Sequence, residues 1–336
     1  MPERRVLRRT KQHALDAVNS GGKAKGAISR MDVRKAAAAA AFEAELAGLR
    51  THIECRLAEI TPGEPSPRLL AEAMRYILLA PAKRARALLA LLSAQHCGGA
   101  REDAMSGACA LEMVHAASLI LDDLPAMDDA RLRRGQAACH RVYGEATATL
   151  AAIALMNRAF AIVAADGRLP PDRRIAVVAI LARSIGTDGL TGGQEGDLHG
   201  SGCEDVAGVD WVHARKTGAL FAAAAEIGAV VAGADARQTA MHKFGMQLGL
   251  AFQGYDDLID ARAAASAVGK DTGRDGGKAT LVASLGFDAA LARADAQFAA
   301  ALASGPDLRP GEGPLARYVA DLTAKLRVPL AREPIP

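Results

Sequence analysis

From Met31 almost to the C-terminus, apolar residues recur at helical spacing, interrupted only by joints rich in Gly, Pro and Asp. That pattern leaves little room for a sheet. Half of the 336 residues are apolar but only 4% are aromatic, and Ala and Leu dominate; strands favour the β-branched and aromatic types. Helices are expected over 36–59, 69–79, 83–97, 103–123, 137–166, 174–186, 208–234, 237–262, 281–303 and 315–326. The joints between the later ones fall at 167–173, 185–207, 263–280 and 304–314. Pro81 separates the second helix from the third. No fixed-length repeat occurs, which excludes a solenoid, and no joint is stronger than its neighbours. Residues 31–336 therefore read as one all-α domain.

Residues 1–30 stand apart, with eight Lys/Arg against two acids and no apolar core of a signal peptide. They are expected to be a disordered basic tail, or to lie ahead of a true start at Met31. The net charge of +3 is too small to imply a nucleic-acid partner. Cys55, Cys97, Cys109, Cys139 and Cys203 are scattered without a C-x-x-C pair. They read as buried thiols of a cytoplasmic protein, not as a disulfide framework or zinc site. The longest near-uncharged stretch, Gly218 to Ala234, is interrupted by Glu226. It suits a core helix, and no membrane span is expected.

Two acidic clusters carry the chemistry. Asp122, Asp123, Asp128 and Asp129 follow the apolar run 116–121, and Asp256, Asp257 and Asp260 follow another. Two carboxylates about 5 Å apart repel by roughly 3 kcal/mol at an effective dielectric of 20. Crowding them behind apolar segments therefore requires a compensating cation. Mg²⁺ suits such sites, because it binds through one or two carboxylates plus substrate phosphates. A lone cluster of this kind is more often a solvated helix end; two of them, with Arg133-Arg134 after the first, point to two metal-loading rims across a phosphate site.

Spacing gives the geometry. Gln253, Asp256, Asp257 and Asp260 lie on one helical stripe, and Glu112, His115, Leu119 and Asp122 on another. Asp122 and Asp128 are six residues apart and would diverge on a continuous helix. Pro125 disfavours helix at Leu124, so the chain is expected to bulge and bring Asp128 back toward Asp122. Arg133 and Arg134, being adjacent, should aim at different partners, and Arg suits bidentate phosphate contacts. Lys83 and Arg86, at i and i+3, can grip one anion together. The segment 269–278 carries Lys270 and Lys278 at its ends and lacks the P-loop pattern. Three basic groups and two acidic rims suggest two diphosphates, one chelated through metal and one held by Arg and Lys. A di-iron reading of Glu112-x-x-His115 needs a second copy of the motif, which is missing.

DDLPAMDDARLRRG and FQGYDDLID, with KRAR, EMVHAASLILDD, GGQEGDL, ARKTGALF and GKDTGRDGGKATL, resemble the trans-isoprenyl diphosphate synthases, and among them the bacterial geranylgeranyl diphosphate synthases. The resemblance covers about residues 45–300. It implies an isoprenoid-synthase helical bundle around a deep central cavity, a homodimer, and Mg²⁺, three ions in all. It also implies head-to-tail condensation of isopentenyl diphosphate with dimethylallyl, geranyl or farnesyl diphosphate. By the same resemblance Asp122, Asp128 and Asp256 are Mg²⁺ ligands, with Asp123, Asp257 and Asp260 beside them. Arg133 would bind the allylic diphosphate, and Arg134, Lys83, Arg86 and His115 isopentenyl diphosphate. Lys216, Thr217, Gln253, Lys270 and Lys278 would line the allylic group and its diphosphate. Few aromatics are available to help a carbocation, which leaves metal, Thr217 and Gln253 to do so.

The chain departs from the family pattern where Pro81-Ala82 replaces Gly-Gly before Lys83, and where Ala87 replaces a Pro. Losing two glycines removes backbone freedom at the isopentenyl diphosphate clamp. In the family that the chain resembles, bulk on the helix just before the first aspartate helps set where the growing chain stops. Ala117 and Ser118, five and four residues before Asp122, are small, so the resemblance implies a twenty-carbon product. The alternatives are a fifteen-carbon, farnesyl stop and a non-catalytic regulatory subunit. Cyclising terpene synthases share the first motif, but their second is of an Asn/Ser/Glu kind that FQGYDDLID does not match.

Overall fold

The computed structural model describes residues 30–61, 67–199, 205–266, 280–309 and 311–331. In chain order its helices are α1 (Arg30–Ile60), α2 (Arg68–Leu78), α3 (Ala85–His96), α4 (Met105–Asp122), α5 (Cys139–Tyr143), α6 (Glu145–Ala164) and α7 (Pro171–Ile185). They continue with α8 (Leu190–His199), α9 (Val206–His213), α10 (Ala219–Val231), α11 (Gln238–Ser266), α12 (Leu281–Leu285), α13 (Phe287–Ser304) and α14 (Gly313–Ala331). The only strands among the described residues are β1 (Leu132–Arg133) and β2 (Gln136–Ala137), paired antiparallel. The fold is all-α, as the composition requires. By Cα packing the chain divides into Met1–Ala47 and Gly48–Pro336. The described part of the first is helix alone; the second holds every element from the end of α1 onward.

Within Gly48–Pro336 the core is built on α3, α4 and α10. Every residue from Ala219 to Val230 is buried, and α10 packs on α3, α7 and α11. Its many alanines let those helices approach closely. Leu88, Leu89, Leu91 and Leu92 of α3 are each no more than 1% exposed, and burying each contributes about 1.5–3 kcal/mol. One polar group in this core is fully answered. Glu226 of α10 accepts from Arg183 (2.6 Å), Gln238 (2.8 Å) and His242 (2.8 Å). Burial alone would raise its pKa; these three partners hold it down at about 2.

Several element boundaries differ from the sequence reading. The helices expected over 137–166 and 281–303 are each divided by a glycine at positive φ, Gly144 and Gly286. The Gly-rich joint expected over 185–207 contains α8, so GGQEGDL is helical. Its glycines serve close packing: a Cβ on Gly193 would lie 2.5 Å from the Lys216 nitrogen and 2.7 Å from the Arg215 Cβ. Of the cysteines expected to be buried, Cys109 and Cys139 are, whereas Cys55 is exposed and Cys97 only half-buried. Burial pushes the Cys109 thiol up to about 12 and Cys139 to about 11. Cys203 and residues 1–29 lie outside the described residues.

Three helical stretches are long and apolar enough, by length and composition, to cross a membrane: Arg101–Asp122, Glu145–Ala164 and Pro171–His199. The first is 72% buried inside the protein, as a core helix is, and the other two 33%.

Candidate active site

Five elements converge on one cavity of about 610 Å³. From α4 come Glu112, His115, Leu119 and Asp122, the stripe that helical spacing predicts, and Ser118 beside them. Helix α4 ends at Asp122, and the chain doubles back through turns over Leu124 to Asp129. The Asp128 N–H donates to the Asp122 carbonyl at 2.9 Å, so the bulge expected at Pro125 is present and both carboxylates reach the cavity. The opposite rim is Gln253, Asp256 and Asp260 of α11. The β1–β2 hairpin supplies Arg133 and Arg134, the latter at φ 53 in the turn. A π-helical turn at Ala214–Gly218 interrupts the run from α9 to α10 and presents Lys216 and Thr217. Such turns recur at functional sites because they redirect side chains that a regular helix would aim elsewhere.

The fifth element is the start of α3 with the residues just before it, which together carry Arg86 and Lys83. Between them Arg84 sits at φ 52 with its side chain buried. It donates to the carbonyls of Leu78 (2.9 Å) and Ala80 (3.0 Å) and to Glu112 of α4 (3.3 Å). The Arg86 guanidinium lies 4.9 Å from the Phe221 ring, and Lys83 Nζ lies 5.9 Å from the Phe252 ring. The two rings pack on each other at 5.2 Å. The scarce aromatics near the site thus support the protein's own cations.

Burial and opposed charges set the electrostatics of the cavity. Burial raises Asp122 to about 6, against the lowering effect of Lys216, 4.0 Å away, with Asp128 adding to the rise. Burial likewise raises Asp256 to about 7, opposed by Lys83 and Arg86 and reinforced by Asp260. His115 is held well below its ordinary value by burial and then by Arg86 and Arg134, so it is a neutral imidazole at pH 7. Burial also lowers Arg86 and Arg134. Burial thus raises one carboxylate on each rim, while the Nε of Arg86 stands buried without a hydrogen bond among the described residues.

No cluster of three or more His, Cys, Asp or Glu ready to hold a metal by itself occurs among the described residues. The cavity instead offers two pairs of hard oxygen donors, Asp122 with Asp128 and Asp256 with Asp260. That donor set fits Mg²⁺, which completes its shell with water and phosphate oxygens.

Lys83, Arg86, His115, Asp122, Asp128, Arg133, Arg134, Lys216, Thr217, Gln253, Asp256 and Asp260 all line this cavity. Asp123 and Asp257, expected beside the metal, do not. Both are buried and committed elsewhere, Asp123 to Arg133 and Asp257 to Gln253 and the Leu281 N–H. Lys270 and Lys278 lie outside the described residues. Sequence reasoning missed Asp197, which bonds Lys216 Nζ at 2.6 Å. The signal was there: Asp197 belongs to GGQEGDL, and only the assignment of that stretch to a joint hid it. Another cavity of about 570 Å³, lined by His52, Arg56, Cys109 and Arg158 among others, carries none of the clustered aspartates.

A model of the polyprenyl synthetase family matches residues 67–306. The chain belongs to that family. It is 41% identical over 242 residues to a geranylgeranyl diphosphate synthase of Pantoea ananas, spanning 71% of this chain and 79% of that one. It is 44% identical over 216 residues to the chloroplastic geranylgeranyl pyrophosphate synthase 12 of Arabidopsis thaliana, covering 62% of this chain and 60% of the plant protein. Among solved structures, an FPP/GFPP synthase from Zymomonas mobilis superposes with a TM-score of 0.74 at 31% identity. That match covers 85% of this chain and 99% of the other. The fold is therefore that of the isoprenoid synthases, and the chain is a prenyltransferase of this family.

Proposed function

We propose that this protein condenses isopentenyl diphosphate head-to-tail with dimethylallyl, geranyl and farnesyl diphosphates to make geranylgeranyl diphosphate. The observation that carries this reading is the pair of carboxylate rims lining one cavity with cations from three separate elements. Mg²⁺, three ions in the proposed complex, would be held by Asp122, Asp128, Asp256 and Asp260, and when bound it neutralises the allylic diphosphate as a leaving group. Arg133 and Lys216 hold the same diphosphate with charge-assisted hydrogen bonds. As the C–O bond breaks, an allylic cation develops beside Thr217 and Gln253. The Thr217 hydroxyl donates to Gln253 Oε1 at 2.7 Å, so its own lone pairs remain turned outward as a dipole that stabilises positive charge.

Lys83, Arg86, Arg134 and neutral His115 hold the second diphosphate. The double bond of that substrate attacks the cation, and the proton lost from the adduct passes to the released diphosphate. Ser118 opens onto the cavity on the turn before Asp122, where the growing chain passes. Ala117 is fully buried and does not line the cavity. Only one of the two small residues therefore adds room, which favours a fifteen-carbon product as the second reading. We also propose a cytoplasmic location and a homodimer, the latter supported by Leu150, Ile153 and Ile175, which are 55%, 58% and 70% exposed on α6 and α7.

A product assay tests the proposal. Purified protein receives isopentenyl diphosphate, Mg²⁺ and each allylic diphosphate in turn, and the dephosphorylated alcohols are sized. A twenty-carbon alcohol from all three starters is the expected result. A fifteen-carbon limit would keep the chemistry and overturn the length. No elongation by folded protein would overturn the reading in favour of a partner-dependent subunit.

A further inference from the structure

We infer that the second aspartate of each pair, Asp123 and Asp257, is an internal anchor that orients one substrate-facing side chain, Arg133 and Gln253 respectively; the inference rests on the function proposed above. Adjacent helical residues diverge by about 100°. Asp122 and Asp256 can therefore face the cavity while the residues after them turn into the protein, although helical spacing puts Asp257 on the same stripe as Asp256. Both do: Asp123 is 0% and Asp257 7% exposed.

Asp123 has both oxygens on one guanidinium. Arg133 Nε donates at 2.9 Å to Oδ1 and 3.2 Å to Oδ2, and a terminal Arg133 nitrogen also bonds Oδ1. A guanidinium is planar and carries five N–H donors. With one edge locked on Asp123, the other is presented to the cavity that Arg133 lines. Asp123 therefore fixes the plane in which Arg133 meets a diphosphate.

Asp257 fixes a different property. Its Oδ1 accepts from Gln253 Nε2 at 3.1 Å, and its Oδ2 accepts from the Leu281 N–H at 3.0 Å. His213 Nε2 lies 3.6 Å from the same Oδ2. An ionised carboxylate can only accept, so it permits one of the two orientations of the Gln253 amide. The nitrogen must face Asp257, which leaves Oε1 toward Thr217 and the cavity. The opposite orientation would set an N–H₂ group where positive charge develops. Asp257 thus selects the polarity of the surface beside the cation while also holding the first residue of α12.

The two anchors predict different kinetics, and neither predicts a change in metal requirement. Asp123→Asn should raise the KM for the allylic diphosphate about tenfold with kcat little changed, because it loosens binding shared by ground and transition states. Asp257→Asn lets Gln253 flip and should lower kcat about tenfold at similar KM. In a Gln253→Ala background it should add nothing further, since coupled residues are not additive. Metal binding is read separately, by titrating Mn²⁺ with inorganic diphosphate and following free Mn²⁺ by electron paramagnetic resonance. Asp123→Asn and Asp257→Asn should keep the wild-type midpoint within twofold, while Asp122→Asn and Asp256→Asn weaken it at least tenfold.

A midpoint displaced in Asp123→Asn or Asp257→Asn as far as in Asp256→Asn would overturn the inference while leaving the proposed reaction intact. Wild-type protein that makes no product at all would sink both. Where Asp257→Asn does not fold, Thr217→Val breaks the same relay without touching the anchor. It should lose about tenfold in kcat, and Thr217→Ser should restore it; wild-type kcat in Thr217→Val would refute the Gln253 argument.

Discussion

Asp256→Asn should make the metal-free protein more stable at alkaline pH while abolishing its chemistry. Burial raises the Asp256 pKa from 3.8 to about 7. The folded protein therefore holds this proton more tightly than the unfolded chain does, and the sign follows. Below pH 3.8 the group costs nothing; as pH rises, the folded state must keep an ionised carboxylate it disfavours, and the full cost is reached above pH 7. At about 1.4 kcal/mol per pH unit, that cost is about 4 kcal/mol at pH 8 and under about 1 kcal/mol at pH 4. For a domain of this size about 4 kcal/mol corresponds to roughly 8 °C in Tm. Thermal unfolding followed by circular dichroism with EDTA should show Asp256→Asn unfolding about 8 °C above wild type at pH 8 and within about 2 °C at pH 4. Adding Mg²⁺ and inorganic diphosphate should raise the wild type at pH 8 and erase the difference, because the cation supplies what the site lacks. An amide variant no more stable than wild type at pH 8, or equally stabilised at both pH values, would refute the reasoning that the rim is strained by unneutralised charge.

Lys216→Met removes the partner of Asp197 at 2.6 Å and the positive charge that opposes the rise of Asp122. Turnover in the product assay should fall about 10²–10³-fold, and the acid limb of the pH–rate profile should move to higher pH. Glu226→Gln should lower the Tm at pH 7, because a carboxyl held at about 2 against an ordinary 4.5 contributes about 3 kcal/mol. That contribution is present above pH 4.5 and lost as pH falls toward 2, so the two melting curves should converge in acid. Ser118→Phe should shorten the product without loss of folding, whereas Ala117→Tyr should overpack a closed site, costing about 1–3 kcal/mol or more, with no shorter product in the sized alcohols.

What the sequence disclosed and what it hid follow from the range of the interactions involved. Helical period, the break at Pro125 and the shared face of Glu112, His115 and Asp122 are local, and all three stand in the structure. The helicity of GGQEGDL is not local. Glycine is a poor helix former, and only the approach of the Lys216 turn to Gly193 explains why it is there. The turning of Asp123 and Asp257 away from the cavity is set by partners far along the chain, Arg133 and Leu281, ten and 24 residues further on. Motif position marks Asp123 and Asp257 as equivalent to their neighbours; packing makes them different. The same holds for Ala117 and Ser118, which are alike in size and opposite in exposure to the cavity.

The departure at Pro81-Ala82 shows how the site can tolerate losing backbone freedom. Two glycines would let the clamp adopt its turn by conformational permissiveness. Here Arg84 takes the left-handed conformation itself, at φ 52, which costs a non-glycine residue of order 1 kcal/mol or more. Its side chain offsets that cost by closing the turn onto the Leu78 and Ala80 carbonyls and onto Glu112. Ala87 in place of Pro completes the arrangement, because its N–H donates to the other oxygen of Glu112 at 3.4 Å, which a proline has no hydrogen to do. The two departures therefore act together. Glu112 stands ten residues before Asp122 on α4, so the segment that positions Lys83 and Arg86 is bolted to the helix that carries the first carboxylate rim. In the proposed complex a diphosphate gripped by Lys83 and Arg86 would be held at a distance from the rim set by one rigid helix, and this segment keeps its shape through buried side chains where flexible backbone is missing.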